Sequence, residues 1–207
     1  MKLYYRADCP FCWKVRLALH YFEVAYESVE VQLGEKHPDV TRLSLTGTVP
    51  IAVDNGLVMT DSAVIMEYIN DAFAGGELIP GGAQQRARLR EIQSYSDKLF
   101  GKPLFVIAQQ KRAKPPADWD QQAIREGTSN WYRNLDYLAK RVRDESLLAT
   151  KIPSLVECTL LPRFALAELY GVPVDARHPD LFIWFESWKE QEIFLQTRPK
   201  LKLIRTI

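Results

Sequence analysis

The hydrophobic pattern of the chain changes once along its length, and this change limits the folds that it can adopt. Up to residue 73, short strand-like runs alternate with helical repeats in the order β-α-β-α-β-β-α. Beyond residue 83 no convincing strand period occurs, and charged and apolar residues recur as they do in helices. The sequence therefore predicts a mixed α/β unit followed by an all-helical unit.

A glycine-rich segment separates the two patterns. Residues 75–83 hold four glycines and a proline, a composition typical of a linker between domains. We therefore expect one domain at residues 1–74 and an all-α domain at residues 84–207. Within the second domain, Ser154 is followed three residues later by Glu157 and then by apolar residues, which predicts a helix that begins with a capping box.

Local signals place the elements of the first domain. Residues 2–5 suit a strand, and Pro10 fits the first position of a helix. The segment at residues 54–56 contains Asn-Gly between apolar runs, which predicts a hairpin. Asp61 and Ser62 can then cap a helix that extends to about residue 73.

Composition and charge narrow the classes of function. The chain has 207 residues, of which 47% are hydrophobic and 26% charged, and its formal charge is +1. Such a balance gives no global attraction to nucleic acid or anionic lipid. Charges interrupt the N-terminus before a signal peptide core could form, and no stretch approaches the ~18 apolar residues of a membrane span. We expect a cytoplasmic protein whose partners are small molecules rather than nucleic acid or a membrane.

Three cysteines limit the redox and metal chemistry that is open to the chain. Cys9 and Cys12 form a Cys-x-x-Cys pair, which indicates redox chemistry or half of a zinc site. Zinc would need two further ligands, and the three histidines of the chain are scattered. We therefore predict no metal. Cys158 falls within the capped helix and is expected to be a buried core thiol.

The position of Cys9 favours the redox interpretation. It follows a predicted strand and precedes a predicted helix, where the helix dipole and unpaired amides stabilise a thiolate. Arg6, Lys14 and Arg16 are close in sequence and could add to this effect. The alternative is that Cys9 and Cys12 are small apolar residues packed at a strand-helix junction.

Four motifs in this order and spacing resemble the glutathione transferase superfamily over nearly the whole chain. They are residues 9–12 (Cys-Pro-Phe-Cys), 48–50 (Thr-Val-Pro), 61–62 (Asp-Ser) and 154–157 (Ser-Leu-Val-Glu). Within that superfamily the N-terminal box is similar to the two-domain glutaredoxins of bacteria and to omega-class transferases. The stretches 62–80 and 154–171 look more like stringent starvation protein A, a non-catalytic relative that binds RNA polymerase.

The resemblance implies a thioredoxin-like N-terminal domain and a role for individual residues. Cys9 would react at sulfur, and Val49 would pair with the cysteinyl backbone of glutathione. Pro50 would follow a cis peptide bond. Asp61 and Ser62 would hold the γ-glutamyl group, with Asp61 standing where family members commonly have glutamate.

Three further residues complete the predicted site. Cys12 would be the second catalytic cysteine, able to resolve an intermediate as an intramolecular disulfide. Phe11 belongs to the glutathione-binding set through its place in the Cys-Pro-Phe-Cys box. The lysine that often meets the glycyl carboxylate has no unambiguous counterpart here, and Lys36 is the predicted one.

The resemblance implies a glutathione-dependent thiol transferase or disulfide reductase that uses Cys9. Glutathione would be the co-substrate, a small disulfide or electrophile the second substrate, and the assembly a homodimer. Two alternatives stay open: a transferase that conjugates electrophiles, and a regulatory binding protein like stringent starvation protein A. Retention of both cysteines favours an enzyme.

The remaining prominent residues are expected to be structural. Arg90 and Arg112 are predicted to be solvated on helix faces, and Phe105 is predicted to lie in the core. The resemblance nevertheless implies that a second-substrate pocket lies between the two domains.

Overall fold

The computed structural model describes residues 1–32, 34–145, 147–149 and 151–200. It has the predicted fold class, an N-terminal α/β unit followed by a helical region. The strands are β1 (Lys2–Tyr5), β2 (Glu27–Glu30), β3 (Ile51–Asp54) and β4 (Leu57–Met59). The α-helices are α1 (Pro10–Tyr21), α2 (Pro38–Leu43), α3 (Ser62–Ala72), α4 (Ala83–Tyr95), α5 (Gly101–Ala113), α6 (Gln121–Glu145), α7 (Leu155–Leu169), α8 (Pro179–Lys189) and α9 (Glu192–Thr197). A π-helical turn (Ser96–Phe100) joins α4 to α5, and a short 3-10 helix (Pro116–Asp118) precedes α6.

The sheet is mixed and has the order β2-β1-β3-β4. Strand β1 pairs in parallel with β2, through the crossover helix α1, and antiparallel with β3. Strands β3 and β4 form the predicted hairpin, in which Asn55 and Gly56 both have positive φ. Two positive φ angles in a two-residue turn match the right-handed twist of the flanking strands, which is why Asn-Gly predicts this hairpin.

Both faces of the sheet are covered. Adjacent residues of a strand point to opposite faces, so Leu3 joins the main core with α1 and α3, while Tyr4 packs on the other face. There Tyr4 contacts a small cluster with Val40 of α2, and its hydroxyl donates to Asp39 Oδ2 at 2.9 Å. Helix α2 thus covers the second face of the sheet.

Helix α7 is the centre of the helical region. It packs against α1 and α4, and its buried residues include Cys158, the predicted core thiol. The predicted capping box is confirmed: Ser154 N and Ser154 Oγ donate to Glu157 Oε2 at 2.8 and 2.6 Å. Val156 N donates to Ser154 Oγ, and Ala149 N donates to Glu157 Oε1. These bonds satisfy amides at a helix start that is buried in the core.

The glycine-rich segment is packed rather than extended into solvent. Leu78 and Ile79 are fully buried in the core that α1, α4 and α7 share. Ile79 N donates to Asn70 Oδ1 at 2.9 Å, and Leu155 N donates to Leu78 O at 2.8 Å. The boundaries at residues 74 and 84 stay a prediction, because one continuous core extends over both regions. Among the described helices, none has the length and apolar character needed to cross a membrane.

The capping box gives the first testable prediction. We expect Ser154→Ala to lower the free energy of unfolding by about 1–3 kcal/mol, because it removes a helix cap and one partner of the buried Glu157. Ser129→Ala is the matched control, since Ser129 is exposed within α6. Urea denaturation of both variants measures the difference. Equal unfolding midpoints for the two variants would contradict this account of α7.

Candidate active site

Cys9 is the last residue before α1, and its backbone is extended, with φ −94° and ψ 118°. Its carbonyl accepts the first helical bond, from Trp13 N at 2.9 Å. Pro10 occupies the first helical position, where an N–H would have no partner in the helix. The Cys9 thiol is only 9% exposed and lies beside the amides of the first turn of α1. This is the placement that the sequence predicts.

The pKa values of the two cysteines are shifted in opposite directions. A hydrogen bond from the Cys12 thiol, together with the amides of Cys12 and Phe11 and the charge of Arg6, outweighs burial and lowers the pKa of Cys9 to about 7. Burial, reinforced by the hydrogen bond to Cys9, raises the pKa of Cys12. Cys9 can therefore act as a thiolate nucleophile near neutral pH, while Cys12 stays protonated and donates to it.

A large cleft of about 930 Å³ opens beside Cys9. The structure brings most of the predicted glutathione-binding residues into its wall. These are Phe11, Val49, Pro50, Asp61 and Ser62. Cys12 is fully buried and does not line the cleft. Lys36 is exposed and also does not line it, although the adjacent Glu35 does.

Val49 brings its backbone to the thiol. The Val49-Pro50 peptide bond is cis, as predicted. The Cys9 Sγ atom lies 4.0 Å from Val49 O. Because Val49 lies just before the start of β3 and lines the cleft, its main-chain groups flank the space next to the sulfur.

Asp61 and Ser62 close another side of the cleft. Asp61 caps α3: its Oδ1 accepts from Ala63 N at 2.7 Å and from Val64 N at 3.1 Å. Asp61 is exposed and Ser62 is buried. A carboxylate, a hydroxyl and the start of a helix thus meet at one point of the cleft, and these groups can bind an amino acid moiety.

Two residues of α4 extend the cleft beyond the residues that the sequence predicts. Arg90 is partly solvated, as expected, and it also makes a paired contact with Glu67 in the wall of the cleft, with N–O distances of 2.7 and 2.8 Å. Gln93 is 4% exposed, and its Nε2 has no hydrogen-bond partner within the part of the chain that the structure describes. That amide is a donor available to a bound molecule, since buried polar atoms normally have partners.

A second cavity of about 300 Å³ lies on the other side of Cys9. Its apolar wall includes Phe11, Leu104, Phe105, Ala108 and Leu166. The expectation that Phe105 lies in the core is wrong: it is 61% exposed and lines both cavities. Cys9 therefore lines both a large cleft and a smaller, more apolar cavity.

Two buried cations contact the ring of Phe11, which lines both cavities. The Arg163 guanidinium lies 4.4 Å from the centre of the Phe11 ring, and Lys14 Nζ lies 5.5 Å from it. Asp97 joins the two cations, with Oδ2 at 2.7 Å from Lys14 Nζ and Oδ1 at 3.4 Å from Arg163. Lys14 and Arg163 are nearly inaccessible to solvent, so their charges act in a weakly screened environment.

Arg112 also departs from the sequence-based expectation. Instead of lying on a solvated face, it pairs with Asp8, which also accepts from Arg6 Nε at 2.8 Å. Phe105, Ala108 and Arg112 lie at i, i+3 and i+7 and so share one face of α5. That spacing was the available signal that these residues belong to one cavity.

The described residues contain no group of three or more histidine, cysteine, aspartate or glutamate side chains that could hold a metal ion. The chemistry available at this site is that of a thiolate with neighbouring donors, carboxylates and cations.

Residues 3–77 match the family model described as the N-terminal domain of glutathione S-transferases. A curated relative, maleylacetoacetate isomerase of Pseudomonas aeruginosa, is 26% identical in an alignment of 185 positions that covers 85% of this chain and 85% of that protein. The stringent starvation protein A homologue of Haemophilus influenzae is 36% identical over 90 residues, covering 44% of this chain and 42% of that protein.

Solved structures have the same fold. A glutathione S-transferase of Rhodospirillum rubrum superposes with a TM-score of 0.83 at 24% identity, covering 97% of this chain and 93% of the other. A glutathione S-transferase of Methylobacillus flagellatus, solved with glutathione bound, gives a TM-score of 0.77 at 20% identity, with coverages of 96% and 98%. Residues 3–77 are thus similar to the N-terminal domain of glutathione S-transferases, and the chain as a whole has the fold of these solved structures.

Proposed function

We propose that the protein is a glutathione-dependent thiol transferase in which Cys9 takes and returns a glutathionyl group. The observation that carries this proposal is the acidified Cys9 thiol at the junction of two cavities. A thiolate attacks disulfides, whereas a thiol does not. The larger cavity accommodates glutathione, and the smaller one accommodates the group bonded to it.

Glutathione is proposed to bind in the larger cleft. The Val49 backbone pairs with its cysteinyl part, next to the cis Pro50 bond, while Asp61 and Ser62 hold the γ-glutamyl group. Phe11 lines the same wall. Lys36 stays the proposed partner of the glycyl carboxylate, in the loop that contributes Glu35 to the cleft. The match of residues 3–77 to the glutathione S-transferase N-terminal domain and the fold shared with the glutathione-bound structure support this placement.

The proposed reaction is a pair of thiol–disulfide exchanges. The Cys9 thiolate attacks the glutathione sulfur of a mixed disulfide, so a Cys9–glutathione bond forms and the other thiolate leaves. A second glutathione thiolate then attacks the glutathione sulfur on Cys9, which releases glutathione disulfide and restores the Cys9 thiolate. Each step exchanges one S–S bond for another, so one free glutathione is consumed per turnover, and the products are the released thiol and glutathione disulfide.

Cys12 provides a second way to resolve the Cys9–glutathione disulfide. Its thiol lies close enough to Cys9 to hydrogen-bond to it. After losing its proton, Cys12 can attack Cys9 and release glutathione, leaving a Cys9–Cys12 disulfide for later reduction. Because burial raises the pKa of Cys12, this route is proposed as the slower one.

Conjugation of electrophiles is a second candidate activity. The smaller cavity, with Leu104, Phe105 and Leu166 in its wall, is apolar enough to hold an electrophile next to bound glutathione. The same cleft and cavity would serve both reactions. A purely regulatory role, by contrast, has no use for the acidified Cys9.

We also propose a cytoplasmic homodimer built from domains at residues 1–74 and 84–207. Apolar side chains on β4 and α3 are exposed, at Leu57, Val58 and Val64. These exposed apolar side chains are available for contact with another chain. A second copy of the chain is the proposed partner.

The roles of the cysteines generate a prediction. We expect Cys9→Ser to reduce glutathione-dependent reduction of a mixed disulfide to the uncatalysed rate, because the thiolate that starts the exchange is gone. Cys12→Ser should retain turnover through the second glutathione. Cys158→Ala is the matched control, since Cys158 is buried in α7 away from both cavities. A coupled assay of glutathione disulfide formation gives the three rates. Undiminished turnover by Cys9→Ser would refute the mechanism.

Asp61 gives a prediction that separates its two roles. Asparagine caps helices about as well as aspartate, so Asp61→Asn should keep stability near that of the native chain. Loss of the charge should nevertheless raise KM for glutathione about tenfold or more, since a hydrogen bond to a charged group contributes about 1.5–3 kcal/mol. Asp61→Ala should lower both affinity and stability. If Asp61→Asn binds glutathione normally by calorimetry, Asp61 is only a cap.

A further inference from the structure

The two cavities that meet at Cys9 differ in charge. The larger cleft is lined by three cationic and four acidic side chains, among them the paired Arg90 and Glu67. The smaller cavity is lined by four cationic side chains and only two acidic ones. The cations are Arg6, Lys102, Arg112 and Arg163, and the acids are Asp8 and Asp97.

Neither acidic residue of the smaller cavity can neutralise its surroundings. Asp8 is shared by Arg6 and Arg112, so one carboxylate faces two guanidinium groups. Asp97 is likewise shared, by Arg163 and the buried Lys14. Each of these triads therefore retains one positive charge.

Lys102 adds a further charge at the rim of the cavity. It is exposed near the start of α5, and no ion pair is recorded for it among the described residues. With Cys9 ionised, the thiolate offsets one positive charge, and an excess still remains. Burial of Arg163 and partial burial of Arg112 weaken solvent screening of this excess.

The size and the apolar wall limit what can occupy the cavity. A volume of about 300 Å³ is at the lower end of the range for small-molecule sites, which is about 300–1,000 Å³. Leu104, Phe105 and Leu166 offer apolar surface to the body of an occupant, and Lys102 and Arg112 offer positive charge to its polar end. The occupant is thus small, with a short apolar body and an anionic end.

We propose that the second substrate is a small carboxylate-bearing molecule, whose negative group is bound by Arg112 and Lys102 and whose sulfur or electrophilic carbon faces Cys9. This inference rests on the proposed function, because the bound molecule is a substrate only if the protein is a thiol transferase. The charge selectivity of the cavity itself can be tested without any turnover.

The test uses two alkylating reagents that differ only in charge, iodoacetate and iodoacetamide. Their rate constants at Cys9 are measured on the reduced full chain, with peptide mapping to assign the site. Both rate constants are measured at one pH, so the fraction of Cys9 present as thiolate is the same for both and cancels from their ratio. We expect the iodoacetate-to-iodoacetamide ratio at Cys9 to exceed that of N-acetylcysteine amide by roughly fivefold, as for one unit charge at about 4 Å in water.

Two charge-reversal variants test whether the charge of Lys102 raises the iodoacetate-to-iodoacetamide ratio at Cys9. Lys102→Glu should lower the ratio by roughly fivefold or more, because it replaces an attractive charge with a repulsive one. Lys140→Glu makes the same change in net charge on an exposed site of α6 that lines neither cavity, and it should leave the ratio unchanged. Raising the salt concentration to about 1 M should shrink the effect of Lys102→Glu.

A substrate series completes the experiment. Glutathione-dependent reduction of dithiodipropionate, bis(2-hydroxyethyl) disulfide and cystamine compares an anionic, a neutral and a cationic disulfide of similar size. We expect kcat/KM, divided by the rate constant of the uncatalysed reaction, to be highest for the anionic disulfide and lowest for the cationic one. A raised alkylation ratio with no turnover on any of the three supports the cationic cavity and refutes the thiol transferase. A ratio equal to that of the model thiol and insensitive to Lys102→Glu overturns the inference, whatever the turnover.

Discussion

The hydrogen bond from Cys12 to Cys9 at the start of α1 is the interaction on which the proposed chemistry depends. It is the largest of the influences that lower the pKa of Cys9, and it works against burial of the same sulfur. Burial alone would make Cys9 a poor nucleophile. The site therefore requires that the first turn of α1 be held rigidly, with Cys12 one turn inside the helix and Cys9 just outside it.

The helical region supplies that rigidity. Helix α1 packs against α7 and α9, and Trp13 Nε1 donates to Thr197 Oγ1 at 3.0 Å across this contact. Lys14 of the same helix is buried against Asp97, close to Arg163 of α7. The capped, buried α7 thus fixes both the position of the thiol and the charges behind it. Fold stability and reactivity at Cys9 depend on the same helix contacts.

Local signals predict much of this architecture. The Asn55-Gly56 turn, the Asp61 cap and the position of Cys9 before Pro10 follow from backbone preferences of a few adjacent residues, and all three are observed. Arg112 and Arg163 could not be assigned in this way. Their partners lie on other elements, more than sixty residues away in sequence, and no local pattern encodes such pairing. Lys36 was placed by resemblance alone, and it does not line the cleft.

The acidity of Cys9 tests the account most directly. Because only the thiolate is alkylated, the iodoacetamide rate at Cys9 should rise with pH and level off above a pKa of about 7. In Cys12→Ala, which lacks the thiol donor, the profile should move to higher pH, whereas Cys12→Ser keeps a donor and should move less. A Cys9 profile with the pKa of a free thiol, about 8.5, and no response to Cys12→Ala would contradict the account.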